Sequence, residues 1–377
     1  MNNKIHLSIA DIGKSELKYV QSAFDDNWVA PLGPNVDQFE EVVAKYVGRQ
    51  ASTALASGTS AIHLALKLLD IQQGDTVFCS SLTFIASANP ILYEKAEPVF
   101  IDSEFDTWNM SPVALKKAFV EAEARGKLPK AVVIVNLYGQ VAKMDELLEI
   151  CNEYGVPVIE DSAESLGSSY KGKKSGTFGK FSIFSFNGNK IITTSGGGML
   201  LSDDQELIAK AKFLATQSRD QALHYQHSEV GYNYRLSNVC AGIGLGQMEV
   251  LDQRVKRRRE IFDIYAVELA EIKGLHLMPE LEGTFSNRWL TAMTLDPEVV
   301  SVTTVDLIHH LAEFNIESRP VWKPLHLQPL FEGAKYFKHN EDVSKYLFDN
   351  GICLPSASIM SDEDVRLVCD KIKSFLK

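Results

Sequence analysis

Two features of the 377-residue sequence predict an α/β protein with a mostly parallel central sheet. Between residues 51 and 160, short apolar segments typical of buried strands alternate with longer segments of helical periodicity. Strands joined by helices usually lie parallel, because the helix returns the chain to the starting edge of the sheet. The length also exceeds that of one average domain, so a smaller α+β domain is expected at the carboxyl end.

The expected elements can be placed in chain order. Helices are expected at residues 14–27 and 35–48, on either side of a loop with the sequence WVAPLGP. The alternating region predicts strands at 51–56, 75–79, 98–101, 131–135 and 156–160, and helices at 61–70, 84–93 (interrupted at Pro90), 112–124 and 144–154. Further helices are expected at 203–217, 239–269 (with a break near Leu251), 304–314 and 361–376, and a strand at 289–295. This pattern predicts a large domain of residues 1–250 and a small domain of residues 251–377.

Composition restricts the classes of function. The 38 lysine and arginine residues face 49 aspartate and glutamate residues, and the net charge of −11 argues against a nucleic-acid-binding surface. No apolar segment has the length of a membrane span, and the amino terminus (MNNKIHLSIAD) lacks the apolar core of a secretion signal. The five cysteines are scattered without metal-site spacing, so we expect reduced thiols, no metal and a cytoplasmic location.

The segment Phe181–Leu200, FSIFSFNGNKIITTSGGGML, holds the first candidate for chemistry. Apolar and polar residues alternate up to Phe186, which predicts a half-buried strand, and an apolar strand resumes at Met199. Between them lie Lys190 and three consecutive glycines, which let a backbone bend sharply or pass close to a ligand. A lysine there can act as an amine nucleophile, but the segment taken alone favours a surface hairpin with an exposed lysine.

Two further positions suit ligand binding. Residues 57–60, Ser-Gly-Thr-Ser, join a short strand to a strongly helical segment, and a helix amino terminus presents free N–H groups to an anion such as phosphate. An ordinary helix cap is the alternative for these residues. Asp161 and Asp102 follow strands, at the edge where parallel sheets bind ligands, and a helix cap is again the alternative for Asp161.

The order of short motifs along the chain resembles a known family. From the amino to the carboxyl end the motifs are SGTSA (57–61), TFIASAN (83–89), EDSAESLGS (160–168), SFNGNKIITTSGGGM (185–199), GYNYRLSN (231–238) and RPVWKPLHLQP (319–329). This set resembles the DegT/DnrJ/EryC1/StrS family of pyridoxal-phosphate (PLP) sugar aminotransferases over nearly the whole chain. The resemblance implies the aspartate-aminotransferase-like fold (PLP fold type I), PLP as cofactor, and a homodimer with a shared active site.

The resemblance also implies roles for individual residues. Lys190 is similar to the lysine that bonds to PLP and then moves protons, and Asp161 to the carboxylate that keeps the pyridine nitrogen protonated. Phe84 matches the aromatic residue that stacks on the cofactor ring. Glu164 lies where the family places a side chain near the phenolic oxygen of the cofactor. The positions implied for the phosphate are Gly58, Thr59, Ser60 and Ser185 from this chain and Asn233 from the neighbouring subunit.

Comparison with the family pattern gives two departures and one distinction. Many members have histidine or glutamine in place of Glu164, and many read TGEGG where residues 194–198 here read TSGGG, without a glutamate. In the dehydratase branch a histidine replaces the lysine, whereas Lys190 is present here, which favours transamination. A non-catalytic PLP-binding regulatory protein is the alternative class, and the joint presence of Lys190 and Asp161 argues against it.

The resemblance extends to a branch that aminates C4 of UDP-4-keto-6-deoxy-N-acetylhexosamines, as in the UDP-N-acetylbacillosamine pathway, with glutamate as amino donor. In the 319–329 loop, Arg319 can bind a phosphate, and Trp322 and His326 offer a flat face and a polar tip. Tyr232 is a further candidate for substrate binding. Domain packing is the alternative for the loop, and dTDP-linked, GDP-linked or C3-keto sugars are the alternative substrates.

Overall fold

The computed structural model describes residues 4–376. The strands are β1 (Ala51–Leu55), β2 (Thr76–Ser80), β3 (Glu97–Ile101), β4 (Ala131–Val135), β5 (Val158–Asp161), β6 (Ser169–Tyr170), β7 (Lys173–Lys174), β8 (Phe181–Ser185), β9 (Gly198–Ser202), β10 (Leu275–Leu277), β11 (Thr284–Phe285), β12 (Thr291–Leu295), β13 (Arg319–Pro320), β14 (Tyr336–Phe337) and β15 (Gly351–Leu354). The α-helices are α1 (Glu16–Asp25), α2 (Pro34–Val47), α3 (Gly58–Leu68), α4 (Asn89–Tyr93), α5 (Pro112–Ala124), α6 (Met144–Glu153), α7 (Gln205–Ala215), α8 (Asn238–Met248), α9 (Leu251–Glu268), α10 (Thr304–Glu313), α11 (Val343–Asn350) and α12 (Asp362–Leu376). Among the described helices none is both long and apolar enough to cross a membrane.

The central sheet has eight strands in the order β1-β9-β8-β5-β4-β2-β3-β14. Every neighbouring pair is parallel except the two pairs that β9 makes, with β1 and with β8. The predicted mostly parallel sheet is therefore confirmed. Because seven strands run in one direction, their carboxyl ends meet at one edge, where the polar residues of the motifs collect.

Apolar side chains cover both faces of this sheet. Along β4, Val133 packs in the core beneath α3 and α7, while Val132 and Ile134 pack in the core beneath α5 and α6. Strand β8 was expected to be half-buried, but the structure buries Ser182 completely along with its apolar neighbours. The polar Ser182 is tolerated there because its hydroxyl donates to the Glu160 carboxylate over 3.2 Å.

Two expected irregularities of the helices are confirmed. Helix α8 ends at Met248 and α9 begins at Leu251, so the long helical segment is broken where the sequence predicts it. The 84–93 segment is divided into a 3₁₀ turn, Ile85–Ser87, and α4. Pro90 lies in the first turn of α4, where its missing N–H removes no intrahelical bond.

A second, antiparallel sheet of four strands, β10-β12-β15-β13, lies in the carboxyl-terminal part. Its core contains side chains of α9, α10 and α12, and Ile5 from the amino-terminal segment joins it. Conversely, β14 pairs with β3 at the edge of the central sheet. The expected boundary between residues 250 and 251 falls between α8 and α9, and the division into two domains stays a prediction.

Candidate active site

A cavity of about 360 Å³ lies at the carboxyl edge of the central sheet. Residues directly after β1 and β2 and at the ends of β5 and β8 line it, as expected for a parallel sheet. The volume is within the range of small-molecule sites. The lining residues are Ala56, Ser57, Gly58, Thr59, Ile62, Thr83, Phe84, Ala86, Ser87, Asp161, Ala163, Glu164, Ser185, Asn187, Asn189, Lys190, Gly196, Gly197, Trp289 and Trp322.

The amino terminus of α3 forms one wall of the cavity. Ser57 caps the helix, since its hydroxyl accepts a hydrogen bond from the Ser60 N–H over 3.0 Å. Gly58 and Thr59 of the first turn line the cavity, and Ser185 at the end of β8 packs against Gly58. The cap and the anion site are therefore compatible, and this wall offers N–H donors, a hydroxyl and the positive end of a helix dipole.

Glycine is required where β9 passes this wall. A Cβ atom on Gly198 would come within 2.4 Å of the Ser57 carbonyl carbon, far inside van der Waals contact. A Cβ on Gly197 would meet the Thr194 hydroxyl at 2.3 Å, whereas one on Gly196 would meet nothing within 4 Å. Close approach of the backbone, rather than a sharp bend, thus explains two of the three glycines.

Asp161 ends β5 with its side chain at the cavity. Its carboxylate accepts hydrogen bonds from the Ser87 hydroxyl over 2.7 Å and from the Ala163 N–H over 3.2 Å. Turns rather than a helix follow β5, so Asp161 is not a helix cap. Burial raises the pKa of the Asp161 carboxyl, although both hydrogen bonds and the positive charge of Lys190 oppose this rise. Each oxygen retains acceptor capacity for a donor in the cavity.

Lys190 lies in the turn between β8 and β9, with its side chain pointing into the cavity. Only 11% of the side chain is exposed, so the alternative of an exposed hairpin lysine is wrong. Its Nζ atom is 3.4 Å from a carboxylate oxygen of Glu164 and 4.3 Å from the centre of the Trp289 ring. A carboxylate and an aromatic face thus hold the amine at the cavity wall.

Glu164 is buried beside this amine. Its second carboxylate oxygen accepts a hydrogen bond from the backbone N–H of Tyr138 over 2.6 Å. Burial raises the pKa of Glu164 to about 7, although the positive charge of Lys190 and the Tyr138 hydrogen bond act to lower it. The carboxyl can therefore exchange a proton near neutral pH, which a glutamine at this position cannot do.

Aromatic side chains form the opposite wall. Phe84 lines the cavity with 55% of its surface exposed, and its ring centre lies 5.6 Å from that of Trp322. Three further contributors were not predicted from the sequence: Ser87, Trp289 and Tyr138. Ser87 lies in the TFIASAN motif and could have been noticed there, whereas no local pattern marks Trp289 or Tyr138.

Several predicted residues lie outside the cavity of this chain. Ser60 turns its hydroxyl to Ser57, over 2.8 Å. Tyr232 stacks on Tyr234 with ring centres 4.9 Å apart. Arg319 has a 66% exposed side chain paired with Glu317. Asn233 is exposed, with only its backbone bridged to Thr216.

His326 is a correction to the predicted substrate-binding set. Its ring stacks on Tyr336 with centres 3.6 Å apart, and its Nδ1 atom lies 2.7 Å from the Ser81 hydroxyl. Only 8% of the side chain is exposed. The alternative of domain packing therefore holds for this residue, because its surface is already covered by protein.

The residues of the cavity fit PLP. The buried Asp161 carboxylate suits a protonated ring nitrogen, Phe84 offers an aromatic face, and Lys190 supplies an amine for the aldehyde carbon. Gly58, Thr59 and Ser185 provide donors for a phosphate. Among residues 4–376 no cluster of three or more His, Cys, Asp or Glu side chains is arranged to hold a metal ion.

Comparison with known proteins agrees with this chemistry. Residues 10–373 match the DegT/DnrJ/EryC1/StrS aminotransferase family. EpsN of Bacillus subtilis, assigned as a pyridoxal phosphate-dependent aminotransferase, is 59% identical over 97% of this chain and 94% of its own. The GDP-perosamine synthase of Escherichia coli O157:H7 is 38% identical over 96% of this chain and 95% of its own.

A solved structure extends the agreement to three dimensions. The PLP form of Spr1654 from Streptococcus pneumoniae, assigned as a sugar aminotransferase, matches with a TM-score of 0.90 at 26% identity, covering 99% of this chain and 98% of that one. The predicted aspartate-aminotransferase-like fold and the predicted cofactor are therefore confirmed. The chain belongs to the DegT/DnrJ/EryC1/StrS aminotransferase family and is a PLP-dependent sugar aminotransferase.

Proposed function

We propose that the protein transfers the amino group of L-glutamate to C4 of a UDP-4-keto-6-deoxy-N-acetylhexosamine. The products are a UDP-4-amino-4,6-dideoxy-N-acetyl sugar and 2-oxoglutarate. The observation that carries transamination is the position of the Lys190 amine, which faces the same cavity as the Asp161 carboxylate. PLP, when bound, supplies an electron sink for the carbanion that forms as a substrate loses a proton.

The residues of this chain divide the remaining work. The Lys190 amine takes a proton from the α-carbon of glutamate and, in the second half of the reaction, returns one at C4 of the sugar. Asp161 holds the proton on the pyridine nitrogen. Glu164 holds the Lys190 amine, and its pKa of about 7 suits an exchange of protons with that amine. Gly58, Thr59 and Ser185 anchor the phosphate, which fixes the position of the cofactor relative to the Lys190 amine.

The sugar end of the substrate is assigned to the aromatic wall. Trp322 presents an apolar face to the cavity beside Phe84, which suits a deoxyhexose ring with its 6-methyl group, while Phe84 itself faces the cofactor ring. Arg319 keeps a proposed role at the diphosphate, because its exposed guanidinium is free on most of its surface. Tyr232 keeps a proposed role only at a subunit interface, since its own chain turns it away from the cavity.

A homodimer with shared active sites is part of the proposal. Two groups of large apolar side chains are exposed on this chain, one at residues 12–32 and one at residues 223–230, with Leu17 at 77% and Val230 at 80% exposure. Large apolar side chains that are left exposed in such numbers suit burial at a subunit contact. Asn233 lies three residues after the second group and is itself exposed, which suits a residue that reaches into a partner's site.

A cytoplasmic location belongs to the same proposal. All five cysteines are free thiols, as is usual for proteins of that compartment.

A GDP-linked 4-keto sugar is the second candidate substrate. It is favoured by the 38% identity to GDP-perosamine synthase over 96% of this chain. The two candidates differ in the nucleotide and in the acetamido group, so purified substrates can separate them.

The test is a spectroscopic cycle with each sugar. The PLP-loaded protein is first treated with glutamate alone, which is expected to convert the visible band of the lysine-bound cofactor to that of the aminated cofactor. Addition of the true keto sugar is expected to restore the visible band, and product NMR then identifies the aminated carbon. Recovery with only the GDP-linked sugar would overturn the UDP assignment, and recovery with neither would overturn both.

Lys190→Ala is the control for the chemistry. The variant is expected to lack the visible band and to lose turnover by at least about a thousandfold. Lys173→Ala, which removes an exposed lysine away from the cavity, is expected to behave as wild type. Normal turnover by Lys190→Ala would contradict the assignment.

A further inference from the structure

The carbonyl oxygen of Asn189, the residue before Lys190, accepts two hydrogen bonds. The Ser8 hydroxyl donates one over 2.7 Å, and the indole Nε1–H of Trp289 donates the other, also over 2.7 Å. Ser8 comes from the amino-terminal segment and Trp289 from the segment before β12, so two distant parts of the chain converge on one peptide group. Both lone pairs of this carbonyl are used, which fixes the orientation of the peptide that carries Lys190.

Arg258 lies behind both donors. It is a residue of α9, and one of its terminal nitrogens donates to the Ser8 hydroxyl over 3.0 Å. The other terminal nitrogen donates to the backbone carbonyl of Trp289. Because a guanidinium only donates, the Ser8 hydroxyl must accept from Arg258, and its single hydrogen is left for the Asn189 carbonyl. Arg258 thus fixes the direction of the hydrogen bond from Ser8 to Asn189. It also holds the backbone of Trp289, whose indole donates the second hydrogen bond.

Arg258 donates to a carbonyl and a hydroxyl and forms no ion pair with the nearby carboxylate. Only 1% of the residue is exposed, and burial lowers its pKa to about 9. The neighbouring carboxylate, Asp11, forms its ion pair with Arg254 instead. A buried cation that donates only to neutral acceptors is costly to the folded state, so Arg258 does not act as a stabilising ion pair. What its acceptors hold in place is the role that remains for it.

Trp289 connects this network directly to the reactive amine. The face of its ring lies 4.3 Å from the Lys190 Nζ atom, while its Nε1–H holds the Asn189 carbonyl and its own carbonyl is held by Arg258. Any movement of the indole therefore changes both the backbone and the amine of Lys190.

We propose that Arg258 is a positioning residue for Lys190, acting through Ser8 and Trp289 at the Asn189 carbonyl. The inference rests on the proposal that the Lys190 amine reacts. Arg258 touches neither the cavity nor the amine, and its effect passes entirely through these two hydrogen-bond donors. A displacement of the amine by about 1 Å is enough to slow a reaction by 10- to 100-fold.

The experiment compares Arg258→Lys, Ser8→Ala and Trp289→Phe with wild type. Arg257→Lys is the matched control, because Arg257 is the adjacent residue of α9 but binds the Met360 carbonyl and Asp362. Trp289→Phe keeps an aromatic face for the amine but removes the N–H together with part of the indole ring. Ser8→Ala, which removes a hydroxyl alone, is therefore measured beside it. Three quantities are measured: the rate of PLP uptake by the apoprotein, the pH midpoint of the visible band, and the rate of the glutamate half-reaction.

All three variants are expected to take up PLP more slowly and to shift the pH midpoint of the band. The glutamate half-reaction is expected to slow by about 10- to 100-fold with little change in the glutamate concentration at half-saturation. Arg257→Lys should match wild type in each quantity. If Arg258→Lys lowers the melting temperature but Ser8→Ala and Trp289→Phe leave uptake and midpoint at wild-type values, Arg258 is structural only and the proposal is wrong.

Failure of the proposed function is recognised separately. If Lys190 is not the reactive amine, Lys190→Ala retains the visible band whatever the Arg258 variants do. If Arg258→Lys does not fold, Ser8→Ala and Trp289→Phe decide the question by the same measurements.

Discussion

The Nζ atom of Lys190 lies 3.4 Å from the Glu164 carboxylate, inside a cavity that the Asp161 carboxylate also lines. The charge of Lys190 acts to lower the pKa of both carboxyl groups, while burial raises them. The three protonation states are therefore linked. A reaction step that neutralises the Lys190 amine removes the opposing charge and favours protonation of Glu164.

This linkage predicts how Glu164→Gln changes the stability of the apoprotein. The pKa of Glu164 is about 7 in the folded protein, against about 4.3 in an unfolded chain. Between these two pKa values Glu164 is protonated in the folded state and ionised in the unfolded state, so the free energy of unfolding falls as pH rises. Above pH 7 the loss of stability is complete and stays constant. Glutamine cannot ionise, so the melting temperature of the variant relative to wild type should increase from about pH 4.5 to pH 7 and then level off.

The measurement is thermal unfolding of both apoproteins at several pH values. Glu332→Gln, a change at an exposed glutamate, is the control and should follow wild type throughout. A variant that becomes less stable than wild type as pH rises would show that the attraction between Glu164 and Lys190 outweighs the cost of burial.

Asp161 and Asp102 both stand at the carboxyl ends of strands, yet the structure gives them different tasks. Asp102 is fully buried and accepts hydrogen bonds from the backbone N–H groups of Val343 and Ser344, at the start of α11. Asp161 instead lines the cavity. We expect Asp161→Asn to lower turnover at least about a hundredfold with a modest change in melting temperature.

Asp102→Asn is the contrasting variant. Its amide nitrogen would face backbone donors, so the melting temperature should fall, with the spectrum of the bound cofactor unchanged. Absorbance spectra and thermal unfolding of the two variants separate the tasks. The assigned roles would be wrong if Asp102→Asn changed the spectrum of the bound cofactor and Asp161→Asn did not.

The alternation of strands and helices allowed the central sheet to be predicted, because each apolar segment is too short for a helix and is followed by a clear turn signal. The burial of β8 was not predictable from its alternating pattern. Ser182 looks solvent-facing in sequence, and only its contacts with Glu160 and Arg49 make it a buried residue. The eighth strand, β14, consists of two residues and leaves no periodic signal.

The candidate site was predictable where its residues lie in short motifs. Lys190, Asp161 and Thr59 each stand in such a motif and line one cavity. Trp289 and Tyr138 reach the site only through tertiary packing, so no local pattern could indicate them. His326 was misplaced because an aromatic, proline-rich loop has the same composition whether it binds a ligand or packs a domain.

The approach of β9 to the amino terminus of α3 predicts a specific effect of Gly198→Ala. The new methyl group would lie 2.4 Å from the Ser57 carbonyl carbon, so either the strand or the phosphate wall must move. We expect a loss of about 1–3 kcal/mol of stability and weaker PLP binding. Gly196→Ala is the matched control for stability, because its methyl group would meet nothing within 4 Å.

Thermal unfolding of the apoproteins and PLP titration measure these effects. Equal melting temperatures for the two glycine variants would contradict this prediction. They would show that the backbone at Ser57 can move to accept the methyl group at residue 198.

The exposed position of Asn233 leads to a prediction about subunit sharing. Asn233→Asp would bring a carboxylate to the phosphate of the partner's cofactor, and repulsion between the two anions should inactivate that site. Lys190→Ala inactivates the site of its own chain. When the two inactive variants are unfolded and refolded together, a mixed dimer contains one site with both lesions and one site with neither.

Random assembly makes half of the dimers mixed, so the mixture should recover about a quarter of the wild-type turnover. Lys190→Ala mixed with Asp161→Asn is the control, because Lys190 and Asp161 line a cavity within one chain and every mixed site keeps a lesion. If Asn233 acts within its own chain, the first mixture stays as inactive as the control. Recovery in the first mixture alone would therefore identify Asn233 as a residue contributed across the subunit interface.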